Sequence, residues 1–596
     1  MSHASANQPC HKHGVPPERR SLVPVARVRN IRHANKGGGG EEWHGGVPVN
    51  TLKKVPMFSS LLVLNVAFVP RDLTVEYLEA PLGVDVAAPR FSWKIVPDKA
   101  WRGRRPAAYH LQVSTDGFQT FAWDSGRVNA STVSLVPYNG TALSSDTIYS
   151  WRVRSWLDDG SAGAFAASSF RTGLLSRSEW SAAWITGGDN ATLLRKEFAL
   201  SAPPVGHATL FVAGLGYSEV ELDGEPVSDH KLGSGWTDYN KRVVYSTIDI
   251  TALLAAGDGK HALGVSLGNG WFSCGPPPGT GQPACHKSPP MVLLEVRVDG
   301  RPVAVSDLSW KVGASPITYN SLYNGEAFDG RRAAALAGWS STGFDDSRWA
   351  AAAAAKSSAS AAVLSSALFE PTRHLSRRAP VSITSPAPHV QVFDFGQNLA
   401  GVVSLRGLRC ESGQRVTIRH AELLTHPPYG AVDGSIYVGN LRTAKATDVY
   451  TCRGDPGEAE EFTPTFTQHG FRYAEVSGLL KEPLAASQVS AVEMHTAIVQ
   501  HSTVGSSDAR LNRMQQAILW GQKTNVMSGV PTDCPNRDER KGWTGDTALT
   551  AEEAAHNFGM GAVYTRWLLQ FGDDQLGGGA TTDFVPATGW SRQRLA

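Results

Sequence analysis

Residues 531–546 read Pro531-Thr532-Asp533-Cys534-Pro535-Asn536-Arg537-Asp538-Glu539-Arg540-Lys541-Gly542-Trp543-Thr544-Gly545-Asp546. Four acids, two arginines and a tryptophan are packed between two prolines and two glycines. A solvated surface loop has a use for the charge, but not for the interleaved Trp, Cys and Gly. Cleavage of a glycosidic bond uses such a set. One carboxylic acid protonates the leaving oxygen, other carboxylates grip hydroxyls, and an aromatic ring stacks on the sugar face.

The chain changes character just before this stretch. From about 70 to 500 it is a succession of short alternating runs: Tyr109–Val113, Tyr149–Arg154, Leu210–Val212, Val402–Leu405 and Arg415–Ile418, punctuated by Gly, Pro, Asn and Asp. Short, regularly spaced strands of this kind predict β-sandwiches rather than βαβ units. They divide into a seven-strand, fibronectin III-like sandwich over 70–175, a larger accessory and jelly-roll-like β-sandwich over 180–370, and a third sandwich over 380–500. The Ala-rich stretch 350–362 reads as a short surface helix or a linker. At about 507 the period shifts to 3.6. Leu511, Met514, Ile518 and Leu519 mark an amphipathic helix capped by Asp508. Thr547–Phe558, capped by Asp546 or Thr547, and Val563–Phe571 predict two more. Three helices cannot cover one another's apolar faces fully, so these faces are expected to want partners.

The bulk numbers narrow the function classes. The 596 residues are enough for roughly three to five domains. The net charge of +2 leaves no field to recruit nucleic acid or an anionic membrane. Seventeen tryptophans suit sugar-stacking surfaces and β-rich cores alike. The six cysteines, at 10, 274, 285, 410, 452 and 534, show no C-x-x-C spacing for zinc. Cys274 and Cys285 flank a Gly/Pro-rich loop and are either free thiols or a pair in an oxidising compartment. Asn129, Asn139 and Asn190 begin N-glycosylation sequons, meaningful only if the chain is secreted. Residues 1–69 read as a disordered or leader segment. In it, Ser59–Val69 is apolar but too short to span a bilayer, and no membrane span is expected anywhere. Cytoplasmic and secreted locations both stay open.

The segment Asp533–Asp546 resembles the signature of bacterial-type α-L-rhamnosidases, glycoside hydrolase family 78. Asn525 and Ser528 before it, and Arg566-Trp567-Leu568, Asp573 and Gln575 after it, sit where that family has similar residues. So do Pro89–Trp93, Gly235–Tyr239, Leu267–Trp271, Tyr323–Glu326 and Asp394–Asn398 upstream. The resemblance implies β-sandwich modules followed by the start of an all-α (α/α)6 barrel over 507–596. It implies inverting removal of terminal non-reducing α-L-rhamnose from glycosides or polysaccharides. It places the general acid at Glu539 and sugar contacts at Asp533, Trp543 and Asp546. Arg537 and Asp538 are further candidate substrate contacts that can equally hold the loop by ion pairs, as can Arg540. Asp533 and Asp546 are expected to raise the Glu539 pKa by like-charge repulsion, with the arginines opposing them.

Inversion also needs a base across the sugar, the two carboxyl groups being roughly 6.5–9.5 Å apart. The resemblance puts it a couple of hundred residues beyond the signature, at no position of this sequence. Glu552 and Glu553 are not assigned to it. The expectation is an N-terminal portion of such an enzyme with impaired activity. The alternatives are a carbohydrate-binding β-sandwich protein with a vestigial catalytic tail, which has no use for a Glu539-type acid, and an (α/α)6 enzyme for another sugar, which substrate profiling separates.

No cofactor is required by this chemistry. Calcium in the accessory domain is an open possibility, with Asp223, Asp238 and Asn240 as loop ligands, although no EF-hand spacing exists and turn-forming is the commoner role of such residues. Gly214-Leu-Gly216 is too short for a phosphate loop. His469 reads as strand-end packing, Tyr323–Glu326 as a tight turn beside the catalytic face, and Asp394, Gln397 and Asn398 as an interdomain turn.

Overall fold

The computed structural model of the chain describes residues 68–587 except 97–102, 189–191, 203–205, 257–258, 274–287, 456 and 479–481. The leader up to residue 67, Cys274, Cys285 and Asn190 lie outside the described residues.

Residues 71–171 form two facing sheets. One holds Arg71–Val75, Arg90–Lys94 and Val136–Pro137; the other holds Trp123–Asp124, Pro106–Ser114, Ile148–Leu157 and Ala166–Arg171. Period-two burial along Ile148–Leu157 turns Tyr149, Trp151 and Val153 inward. Trp151 meets Phe91 of the opposite sheet at 4.8 Å and closes the core.

The next module packs a seven-stranded sheet on a six-stranded one. Ala208–Leu215 is buried along its whole length and lies in the middle of the first sheet, so it reads as a continuous apolar run. Leu210, Leu263, Val265, Leu294 and Trp310 fill the space between the sheets. The Ala-rich stretch 350–362 begins as strand, against the helix or linker expected, and only its end, Ser358–Ala361, makes a short 3-10 helix. Ala350–Ala351 pairs with Lys311–Val312, and Ala353–Ala354 pairs with Ile185–Thr186, so it edges both sheets in turn. A run without an apolar stripe gains little from helix, whereas a sheet edge satisfies its backbone.

The third module is a ten-stranded sheet with the 19-residue strand Val390–Leu408 as its spine. Asp394, Gln397 and Asn398 do not form an interdomain turn. They lie inside this spine, where its register with His469–Ser477 breaks between Asp394 and Leu399. The hairpin of Ile317–Ser321 and Gly325–Asp329 also joins this sheet, its second strand running parallel to Thr447–Thr451. A segment expected in the 180–370 sandwich is thus shared with its neighbour, and it carries Leu322 and Tyr323 across. A disulfide joins Cys410 to Cys452, 42 residues apart and without a local signature for pairing.

Helix Ala509–Thr524 is capped as expected, the Asp508 carboxylate accepting from the Arg510 N–H at 2.8 Å. Helix Thr544–Asn557 begins earlier than expected, at a Trp543 cap, and places Asp546 in its first turn. Helix Gly561–Asp574 follows. Arg566 donates to the Trp236 carbonyl at 3.2 Å, and Arg242 grips Asp573 with two hydrogen bonds of 2.6 and 3.0 Å. The helices are thereby fixed to the second module, where Trp236 and Trp271 stack at 4.1 Å. Leu519 is buried, but Leu511, Met514, Leu549 and Leu568 are all at least half exposed. Among the described residues no helix is long and apolar enough to cross a membrane.

Under the third module lies a buried polar core. Burial raises the Glu326 pKa from 4.5 to about 8, against hydrogen bonds from the Phe466 and Thr465 N–H groups; the charges of Asp448 and Glu219 raise it further. A carboxyl raised in the fold contributes stability that is complete below its unfolded pKa and is lost as pH climbs through its folded one. Glu326→Gln keeps the acceptor and removes the proton. The fall in Tm between pH 4.5 and about 8 is expected to be shallower in the variant by calorimetry. Identical slopes in both proteins would show that Glu326 does not titrate there.

Candidate active site

From Cys534 to Arg540 burial alternates strictly. Cys534, Asn536, Asp538 and Arg540 are buried; Pro535, Arg537 and Glu539 are partly exposed. Along this bent loop successive residues are buried and exposed in turn. One row grips the β-modules and the other faces outward.

The inward row is held by long-range bonds. Arg540 is fully buried and sits at φ +52°. Its guanidinium donates to the carbonyls of Leu322 at 2.7 Å, Gln468 at 2.6 Å, Asn536 at 3.1 Å and Arg537 at 3.1 Å, and lies over the Tyr323 ring. Asp538 accepts from the Thr443 N–H at 3.2 Å and from the Thr443 hydroxyl, so this buried carboxylate anchors the loop. Asn536 donates to Glu422. The Tyr323 hydroxyl donates to the Glu539 carbonyl at 3.0 Å, which puts the Tyr323–Glu326 turn directly against the loop.

The outward row brings the candidate catalytic groups together. Glu539 Oε2 accepts from Arg537 Nε and Arg442 Nη1, each at 2.9 Å, and Oε1 accepts from Trp543 Nε1 at 3.0 Å. Arg537 also donates to Asp533 Oδ2 at 2.8 Å, and the Lys541 N–H donates to Asp533 Oδ1 at 2.8 Å. Burial pushes the Asp533 pKa up, the Lys541 N–H opposes this, and the Glu539 charge adds to it. Glu539 departs from expectation. Partial burial raises its pKa, but the hydrogen bonds and charges of Arg537 and Arg442 outweigh this and hold it below the usual value.

Trp543 packs edge-on to Phe584 at 5.3 Å while its N–H holds Glu539. Asp546 is exposed, where the helix N-terminus favours a negative charge. Arg442, Thr443 and Glu422 were not singled out from the sequence. They lie 95 to 114 residues from their partners and carry no local signature.

His469 donates within a buried group rather than merely ending a strand. Its Nε2 is 3.1 Å from both Asp448 oxygens, and its ring stacks on His420 at 4.0 Å. Burial, then the Arg540 charge, keeps His469 well below its usual pKa, and burial takes His420 down to about 3. Of the proposed calcium ligands, Asp223 accepts from His261 and the Ala262 N–H, both at 2.7 Å, and Asp238 accepts from the Asn240 N–H at 3.2 Å. Asp223 thus ties its turn to the neighbouring strand, and Asp238 bonds within its own turn.

A carboxylate row interlocked with arginines and an indole, set where β-sandwiches meet helices, offers one carboxylic acid and hydroxyl-binding groups of the kind that glycoside hydrolases use. Comparison with known proteins narrows the class. Family models match in order along the chain: a Rha78A-like N-terminal immunoglobulin domain over 70–176, an α-L-rhamnosidase N-terminal domain over 204–375, a bacterial α-L-rhamnosidase concanavalin-like domain over 384–495, and a bacterial α-L-rhamnosidase six-hairpin glycosidase domain over 499–595. The chain belongs to the bacterial α-L-rhamnosidase family. It is 33% identical to an α-L-rhamnosidase of Alteromonas sp. strain LOR over 86% of this chain and 56% of that protein. It is similar in structure to the α-L-rhamnosidase of Dictyoglumus thermophilum, with a TM-score of 0.80, 35% identity, and 89% of this chain and 60% of the other covered. A Streptomyces avermitilis α-L-rhamnosidase solved with L-rhamnose gives a TM-score of 0.79 at 29% identity, covering 88% and 66%. The chain spans between about half and two thirds of the length of these relatives.

Arg540→Met leaves four carbonyls without their donor in a dry site. A loss of about 3 kcal/mol is expected. Amide exchange should accelerate across 533–541 while the 71–171 sandwich stays protected. Unchanged exchange in the loop would show that other contacts hold it.

Proposed function

We propose that the protein removes terminal non-reducing α-L-rhamnose from rhamnose-containing glycosides or polysaccharides, by an inverting acid/base mechanism that needs no cofactor. The reading is carried by one observation: Glu539 is a partly exposed carboxyl group held at both oxygens by Arg537, Arg442 and Trp543. In this assignment Glu539 protonates the leaving oxygen. Asp533 and Asp546 bind sugar hydroxyls, and Trp543 lies against the deoxy face. Arg537 ties Asp533 to Glu539, and Asp538 keeps the loop on the β-module. The general base is assigned to no residue of 1–596. We infer that the three helices open an (α/α)6 barrel, whose further helices would cover the exposed Leu511, Leu549 and Leu568.

The arginines set a condition on the acid. With the site empty they favour the ionised form, so Glu539 takes up its proton when substrate displaces Arg442, the more exposed of the two. Glu539→Gln is expected to lower kcat about 10²- to 10⁴-fold with L-rhamnose affinity retained. Arg442→Gln removes a cation, raises the Glu539 pKa, and shifts the alkaline limb of the rate profile to higher pH. Initial rates on an aryl α-L-rhamnoside across pH, with NMR of the first-formed sugar, test this. β-L-rhamnose is expected first. Full turnover by Glu539→Gln, or α-rhamnose first, would sink the mechanism.

A further inference from the structure

We propose that the cleft between the spine bulge at Gly396–Asn398 and the neighbouring Glu422–Leu423 binds a second sugar, the saccharide on the leaving-group side of the rhamnosyl bond. Its role in catalysis rests on the rhamnosidase reading; its own chemistry does not. The cleft measures about 480 Å³ and is lined by Gly396, Gln397, Asn398, Glu422, Leu423 and Arg472. That is room for a small oligosaccharide segment.

The cleft wall is fixed. Asp394 Oδ1 accepts from the Gly396 N–H at 2.7 Å, and Arg472 grips both Asp394 oxygens at 2.8 Å. Gly396 turns the chain at φ +71°. Asn398 Nδ2 donates to Glu422 Oε1 at 2.8 Å, and Gln397 Nε2 donates to the Asn398 carbonyl at 2.7 Å. The other Glu422 oxygen accepts from Asn440 at 3.1 Å and from Asn536, three residues before Glu539. One carboxylate therefore holds both the cleft wall and the catalytic loop, and the loop that supplies Asn440 supplies Arg442 to Glu539.

The ligand class follows from what these bonds leave over. The amide nitrogens of Gln397 and Asn398 are engaged, while Gln397 Oε1 and Asn398 Oδ1 are not taken up by these bonds. They are acceptors for a ligand that brings hydroxyl donors. Leu423, 46% exposed, gives the C–H face of a sugar an apolar contact. Glu422 and Asp394 disfavour an anion, and Arg472 disfavours a cation. Among the described residues the lining holds no aromatic ring, and Arg472 is already engaged by Asp394 and the Tyr473 ring, so a flat aryl leaving group finds little to stack on. The geometry thus points to a rhamnose-terminated saccharide rather than an aryl rhamnoside as the fitted substrate.

Calorimetric titration of the chain with L-rhamnose, with a trisaccharide ending in α-L-rhamnose and with 4-nitrophenyl α-L-rhamnoside tests this, on Glu539→Gln, which cleaves them too slowly to interfere, alone and combined with Gln397→Ala or with Leu423→Ala. Leu423 is exposed and unbonded in the wall, so its variant guards against a folding failure at Gln397. Each variant is expected to weaken trisaccharide binding about tenfold, the scale of one lost contact, and to leave L-rhamnose binding unchanged. L-rhamnose binding together with trisaccharide binding insensitive to both variants would overturn the cleft and leave the rhamnosidase reading standing. No L-rhamnose binding, with trisaccharide binding still lost in both variants, would support the cleft and overturn that reading.

Discussion

The buried Arg540 guanidinium is the constraint on which the rest of the site depends. A permanent charge in a dry interior is costly unless every donor is matched. Here four carbonyls from the hairpin turn at Leu322, the strand edge at Gln468 and the loop itself match four of its five donors, and the Tyr323 ring lies under the guanidinium. Lysine would place a point charge with three donors where a planar five-donor fork is needed. The bond set therefore fixes sequence-distant segments at one point. The shared hairpin 317–329 exists in that sheet to be reached, and the neutral His420 and His469 behind it add no competing charge.

With Arg540 fixed inward, the alternation of burial along the loop sets the rest. Asp538 and Glu539 are adjacent carboxylates with opposite fates, the first buried like Arg540 and the second partly exposed. Asp538 is buried on Thr443, and Glu539 meets Arg537, Arg442 and Trp543. A one-residue slip would exchange them. The glycine after Lys541 is part of the same constraint: at Gly542 a Cβ would lie 2.1 Å from the Val585 carbonyl oxygen.

Much of this was legible in the sequence, for local reasons. Period-two runs such as Tyr149–Arg154 became strands, Asp508 capped its helix, and the motif around Glu539 stood out by composition alone. What was hidden is long-range. Arg442 on Glu539, Thr443 on Asp538 and the Cys410–Cys452 bridge join residues 42 to 97 apart, and nothing local marks either end. The Asp394–Asn398 stretch misled because Gly and Asn look like a turn, whereas within a long strand the same residues make a bulge. The Ala-rich 350–362 misled because helix propensity is weak beside the backbone bonds a sheet edge offers.

The Glu539 charge environment has a consequence for how such a site must work. The sequence showed the acids beside it and suggested a raised pKa, but the folded loop turns Arg537 and Arg442 onto the same carboxylate, and opposite charges in direct contact outweigh partial burial. In the role proposed for Glu539, an acid held ionised at rest is useful only if binding changes its neighbours. Arg537 cannot leave without releasing Asp533 as well, since it bridges the two. Arg442 reaches in from a different module, is over half exposed, and bonds Glu539 with one nitrogen. It is the cation that a ligand can displace at least cost, and its loop is continuous with the wall of the neighbouring cleft through Asn440 and Glu422. In the proposed reading, occupancy of the cleft would bear on the proton of Glu539 through Asn440–Arg442, within the connection 438–446.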